Sequence, residues 1–317
     1  MIRQIRFPSF PEPLSAVCCG CGRFGGDYDD GRSFALLDCY YAMGGRFLDT
    51  ANCYGRWTAS GMNESERCIG AWLRSRQVND MVVTSKCCHY AFDAHDVSRV
   101  NRACAEADLE DSRRTLGLDV IPIYLAHRDD ETLDIRVIVD FLADMVRRGR
   151  VTRFGLSNYR ADRVRKAIDY LGEGWRDWMV AASNEWSLHE ECLAMDGGGE
   201  LPKGDGIVAT GRTLWNLHRE TGLPLFAFSA ASGGFYAKLA EGKREAGAHD
   251  RIAAQKLSRI ADGHGVSVTA ASVAYLLRSG VPAIPIVAVS GESQMAEFEA
   301  ISAWEDDLSA LSPFREG

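Results

Sequence analysis

The chain has 317 residues, 46% hydrophobic and 25% charged, and 36 basic against 44 acidic side chains leave a net charge of −8. This balance supplies a large apolar core and excludes the basic footprint of a nucleic-acid binder. No run approaches the ~18 apolar residues of a membrane span, and Met1-Ile2-Arg3-Gln4-Ile5-Arg6 lacks a secretory pattern, so a cytoplasmic location is expected.

Residues 1–15 read as a short extended element interrupted by Pro8, Pro11 and Pro13. After them, apolar runs of strand length alternate with helical periodicity. Strands are expected to start near residues 16, 47, 81, 120, 151, 179, 225 and 283. Helices are expected over 31–43, from Asn63 onward, and over 96–116, 133–148, 161–171, 208–221, 251–264, 268–278 and 294–304. Asn63-Glu64-Ser65-Glu66 offers a cap and an acidic first turn. The segment 188–206, with its run Met195-Asp196-Gly197-Gly198-Gly199-Glu200, is expected as a loop insertion on the mouth side. Eight strand–helix units without a linker favour one (β/α)8 TIM barrel domain over 1–317, with an N-terminal extended element and a C-terminal helix, over a doubly wound sheet.

Ten cysteines are scattered along the chain. The group Cys18-Cys19-Gly20-Cys21 departs from C-x2-C ligand spacing and has no histidine pair nearby, so buried, reduced thiols are expected and no metal.

A barrel gathers its chemistry at the C-terminal ends of its strands. There stand Asp49 and Tyr54 after the second strand, Lys86 after the third, His127 after the fourth, and Ser157 and Asn158 after the fifth. A neighbouring ammonium lowers a phenol pKa, and a carboxylate holds that ammonium in place, which makes Tyr54 a usable proton donor. An imidazole can hydrogen-bond a carbonyl oxygen as it becomes alkoxide-like. Taken singly, each residue also fits a turn, a solvated surface or a structural role.

Asp49-Thr50-Ala51-Asn52-Cys53-Tyr54-Gly55, Thr84-Ser85-Lys86, Leu125-Ala126-His127-Arg128-Asp129-Asp130 and Gly155-Leu156-Ser157-Asn158 resemble motifs of the aldo-keto reductase superfamily. The resemblance implies a barrel that binds NADPH or NADH without a Rossmann fold. Tyr54 would be the general acid, Lys86 and Asp49 would tune it, and His127 would orient the carbonyl. It also implies cofactor contacts from Gly22, Ser157, Asn158, Ser183, Trp186 (an aromatic stacked on the nicotinamide), Ser229, Ser290, Gln294 and Glu297. Ser183 stands where the family has Gln, and Phe298 where it has Asn. The run Ala288-Val289-Ser290-Gly291-Glu292 lacks the basic residue that would pair with a 2′-phosphate, so NAD use gains weight.

Phe24, Trp57, His89 and Asp129, with Tyr90 and Arg128, are expected at the mouth, suited to an aldehyde, ketone or sugar-type substrate. The leading reading is a hydride-transferring oxidoreductase. A nicotinamide-binding regulatory protein of low activity is the alternative, and a Schiff-base lyase using Lys86 ranks third. The insertion is open to a role in pocket lining or in contacts between copies, hence a homo-oligomer.

Overall fold

The computed structural model describes residues 1–195, 202–203 and 206–316. Its strands are β1 (Cys18–Gly20), β2 (Phe47–Asp49), β3 (Val82–Cys87), β4 (Ile121–Ala126), β5 (Val151–Ser157), β6 (Met179–Glu185), β7 (Leu225–Phe228) and β8 (Ala283–Ala288). They pair in parallel and close into a barrel, the last strand meeting the first with Ile286 opposite Cys18. The expected (β/α)8 architecture is therefore present.

Side-chain alternation along the strands builds two layers. Phe47, Ile123, Leu125, Phe226 and Ile284 point into the barrel. Their neighbours Leu48, Tyr124 and Ala227 point out to the helices. Both faces are buried, which is why the strands read as continuous apolar runs. Gly155 is required by this packing, because a Cβ there would lie 2.5 Å from Leu125 Cδ2 and 2.6 Å from the Ala181 oxygen. The N-terminal element is a hairpin in which Gln4–Ile5 pairs antiparallel with Leu14–Ser15. Phe10 and Leu14 join the interior cluster, and Ser9 Oγ donates to the Val180 oxygen at 3.0 Å. The hairpin thus plugs the bottom of the barrel and leaves the top for chemistry.

Several boundaries differ from expectation for local reasons. The helix expected over 96–116 starts at Arg102, where Asn101 accepts from the Cys104 amide at 2.9 Å. The one expected over 208–221 starts at Arg212, since Ile207–Val208 pairs with Pro202–Lys203 and Gly211 precedes the first turn. The segment 188–206 is not loop throughout: it opens with helix Leu188–Met195, and 196–201 and 204–205 lie outside the described residues. Asn63 makes no capping bond; its amide donates to Glu66 Oε2 at 2.8 Å. All ten cysteines are free thiols, eight of them buried. Among the described residues no helix is long and apolar enough to cross a membrane.

The chain's last turns are held from within. Glu191, on helix Leu188–Met195, is fully buried. It accepts from Trp186 Nε1 at 2.8 Å, Tyr275 Oη at 2.7 Å and Ser312 Oγ at 2.6 Å. Burial outweighs these donors and pushes its carboxyl up to about 7. A folded-state pKa raised above the unfolded one means that the stability it contributes is fully present below the unfolded value and lost as pH rises through 7. Between pH 5 and pH 8 the stability gap between wild type and Glu191→Gln, which mimics the protonated carboxyl, should move by on the order of 3 kcal/mol in favour of the variant. Urea unfolding at the two pH values measures it, and a pH-independent gap would remove the assignment.

Candidate active site

The top of the barrel opens into a cavity of about 760 Å³. Asp49 ends β2 and Lys86 lies one residue before the end of β3. The register places Asp49 opposite Thr84, two residues short of Lys86, so both side chains share the inner face. Lys86 Nζ donates to Asp49 Oδ1 and Oδ2 and to the Thr50 oxygen, each at 2.8 Å, and reaches Tyr54 Oη at 3.3 Å. The ion pair is nearly solvent-free, with side chains 3% and 6% exposed.

Tyr54 is set by its loop. Gly55 has φ +93°, and a Cβ there would lie 2.6 Å from Glu64 Cβ, so the turn packs directly on the start of helix Glu64–Arg76. Ser65 Oγ contacts Thr50 Oγ1 at 2.7 Å and donates to the Cys21 oxygen at 2.7 Å. Glu66, buried on the same helix, accepts from Ser85 Oγ at 2.5 Å and so braces the strand beside Lys86. His127 faces Tyr54 with ring centroids 5.9 Å apart.

Burial raises the Tyr54 phenol above its ordinary value despite the opposing pull of Lys86. The expected lowering is thus a real but smaller effect. Lys86 is penalised by burial, yet Asp49 and Tyr54 more than offset this, and it stays an ammonium. Burial, together with Arg128 and Lys86, drives His127 well below its ordinary pKa, so its imidazole is neutral. At neutral pH the cavity therefore presents a protonated phenol, polarised by an ammonium behind it, next to a neutral imidazole.

Of the remaining expected residues, Gly22, Trp57, His89, Ser157, Asn158, Ser183, Ser229, Ser290 and Gln294 line this cavity. Asn158 has φ +65°, within the left-handed region that Asn tolerates. Its amide donates to the His127 oxygen at 3.1 Å, and its Oδ1 accepts from the Val208 amide at 3.2 Å. Ser183 lines the cavity wall, and its buried Oγ has no hydrogen-bond partner among the described residues. Gln294 accepts from the Ser290 amide at 3.0 Å.

Four expected residues lie elsewhere. Trp186 is fully buried, its ring edge-on to Tyr275 and its Nε1 on Glu191. Strand parity explains it: Ser183 faces the cavity, and a residue three further on points the other way. Phe228, which shares parity with the inward-facing Phe226, supplies the aromatic on the cavity wall instead. Phe24 is buried in the core beside Tyr28, because the turn in which its amide bonds to the Cys21 oxygen rotates the ring away. Asp129 is half-buried, its carboxylate turned inward onto Arg163, at 2.7 Å from Nη2 and 2.9 Å from Nε, where it needs a counter-charge. Glu297 caps helix Val268–Arg278, accepting from the Ser267 amide at 2.7 Å and hydroxyl at 2.8 Å.

The structure also adds residues. Arg23 and Tyr28 line the cavity beyond β1. Arg32, from helix Asp30–Ala42, lies 3.8 Å over the Tyr28 ring and donates to the Ser290 oxygen at 2.9 Å. A guanidinium missing from 288–298 is thus brought there from far earlier in the chain, a contact that no local spacing signals. Phe92 joins the expected Tyr90 and Trp57 in an aromatic rim, with Trp57 6.2 Å from Tyr54 and 6.0 Å from Phe92 between centroids.

The chain matches the Aldo/keto reductase family over residues 16–310. It is similar to norsolorinic acid reductase B of Aspergillus parasiticus, 26% identical over 96% of this chain and 81% of that protein. It is similar to an aryl-alcohol dehydrogenase of Pestalotiopsis microspora, 23% identical over 93% of this chain and 77% of that one. A third relative, aryl-alcohol dehydrogenase [NADP(+)] of Phanerodontia chrysosporium, is 28% identical over 54% of this chain and 46% of its own length.

The buried ion pair has a stability signature independent of any reaction. Asp49→Ala leaves the Lys86 ammonium without its counter-charge and should cost about 3–5 kcal/mol. The double variant Asp49→Leu with Lys86→Met should recover most of that loss. Urea midpoints measure both, and a single-variant cost under about 1 kcal/mol would contradict the assigned ion pair.

Proposed function

The chain belongs to the aldo/keto reductase family, and on that premise we propose that it transfers a hydride between a nicotinamide cofactor and the carbonyl of an aromatic aldehyde or ketone. The observation that carries this reading is the contact of Lys86 Nζ with Tyr54 Oη at 3.3 Å while the same ammonium is fixed by Asp49. A donor behind the phenol oxygen turns its proton towards the cavity, where an acceptor carbonyl would stand. His127, neutral and across the same cavity, donates a second hydrogen bond to that oxygen.

The residues present fit a nicotinamide group. Ser183 Oγ, buried and unpartnered, suits the carboxamide, with Ser157 and Asn158 beside it. Phe228 offers a flat apolar surface. When bound, the reduced cofactor supplies the hydride; the chain itself orients the carbonyl, excludes water and delivers the proton from Tyr54 Oη. A phenol raised by burial is a proton donor throughout the neutral range, which favours the reductive direction. Arg32 at Ser290 supplies a cation where the 2′-phosphate of NADPH needs one, which supports NADPH over NADH. The aromatic rim, and the aryl-alcohol substrates in the relatives' names, support an aromatic substrate.

Tyr54→Phe should lower kcat for benzaldehyde-type substrates by about 10²–10⁴-fold while NADPH still binds; retained turnover would refute the reading. Fluorescence titration should find NADPH bound more tightly than NADH. Arg32→Ala should weaken NADPH by roughly tenfold and leave NADH unchanged, and equal losses for both would remove Arg32 from this role.

A further inference from the structure

We propose that Cys53, His89 and His127 form a binding site for a soft divalent cation, best matched by Zn²⁺, in the wall of the same cavity. All three side chains are buried, and one donor atom from each lies within 4.8 Å of the other two. Cys53 Sγ is 3.6 Å from His127 Nδ1. The bond lengths of a tetrahedral zinc site place a sulfur and a nitrogen ligand about 3.5 Å apart, so this pair already stands at ligating separation. His89 has to close by roughly an ångström to complete the set.

His89 is prepared for such a role by its surroundings. Its Nδ1 lies 3.0 Å from the Tyr90 oxygen, which keeps the proton on Nδ1 and makes the unprotonated Nε2 the ligand atom; metal-binding histidines are fixed in this way. The loop that carries it is pinned by Arg99, which donates to the His89 oxygen at 2.8 Å and to Asp108 at 2.7 Å. Asp108 in turn accepts from the Cys88 amide at 2.9 Å. One sulfur and two imidazole nitrogens select zinc-like ions over Mg²⁺ or Ca²⁺, which take oxygen. The fourth position faces the cavity and is left to water.

Three cations lie near the site. The Lys86 charge is met by Asp49 and the Arg99 charge by Asp108. Arg128 Nη2 donates to His89 Nε2 at 3.2 Å and gives up that bond when the ion enters. On coordination Cys53 releases its thiol proton to solvent, and the resulting thiolate balances one of the ion's two charges. An ion on these three side chains, all of which line the cavity, takes up space that the substrate carbonyl needs beside His127, so bound Zn²⁺ blocks reduction reversibly. That inhibitory consequence rests on the function proposed above; the binding does not.

Co²⁺ added to the full-length protein, free of chelator, tests the site without reference to turnover. The expected result is a thiolate-to-cobalt charge-transfer band with tetrahedral visible bands, one Zn²⁺ per chain in equilibrium dialysis, and removal by EDTA. Cys53→Ser should abolish the charge-transfer band, and His89→Gln should weaken Zn²⁺ by at least about tenfold. Cys39→Ser and Cys104→Ser, at the two less buried thiols, should change neither. A band that survives in Cys53→Ser, or that Cys39→Ser or Cys104→Ser removes, overturns the proposal, as does absence of metal from wild type. Zn²⁺ should also inhibit turnover, reversibly with EDTA. A protein that binds Co²⁺ through Cys53 yet reduces no carbonyl would sink the proposed function and leave the site standing. Normal reduction without the band would do the reverse.

Discussion

A lysine ammonium buried at the mouth of the barrel sets the terms for the rest of the site. Its three N–H groups are shared among two Asp49 oxygens, the Thr50 carbonyl and the Tyr54 phenol. Leaving such a charge uncompensated costs several kcal/mol, so the fold must deliver every acceptor to one place. It does so through strand register. With Asp49 opposite Thr84, Lys86 and Asp49 share a face, whereas a slip of one residue would send one of them into the helical layer. The same constraint explains the bracing around it. Glu66 on Ser85, Ser65 on Thr50, and the glycine at 55 against Glu64 all hold strand ends and loop against one helix, Glu64–Arg76.

Much of the architecture was legible because its physical causes are local. A parallel strand buried on both faces must be a short, unbroken apolar run, and all eight were found near their true positions. Asp49, Tyr54, Lys86 and His127 were legible because each lies at a strand end or in the loop after it, and the geometry of a barrel then decides that they meet. The misses have equally physical causes. Trp186 is three residues beyond Ser183, and parity sends it into the helical layer; the alternation Phe226-Ala227-Phe228 held the better signal for an inward aromatic. Asp129 and Glu297 are polar residues near the mouth, but each satisfies a neighbouring element, an arginine in one case and a helix N-terminus in the other.

What sequence order hides most completely is charge brought in from elsewhere. The run 288–298 carries no cation, yet Arg32 lies on its backbone from a helix near the other end of the chain. Net electrostatics likewise depend on depth. Lys86 does pull the Tyr54 phenol down, as its type predicts, but desolvation outweighs it. Neither balance can be judged before burial is known.

The closure of the barrel between β8 and β1 has a consequence for how the chain comes into being. Cys18 and Cys19 pair with Ile286 and Val287, so the barrel's first strand waits for its last before its second edge is covered. At ordinary rates of synthesis that interval is on the order of tens of seconds. Throughout it the thiols of Cys18, Cys19 and Cys21, wholly buried in the finished molecule, stand on an open sheet edge. Their freedom from oxidation is therefore a condition on the nascent chain, imposed by the order in which a circular sheet must be built from a linear one.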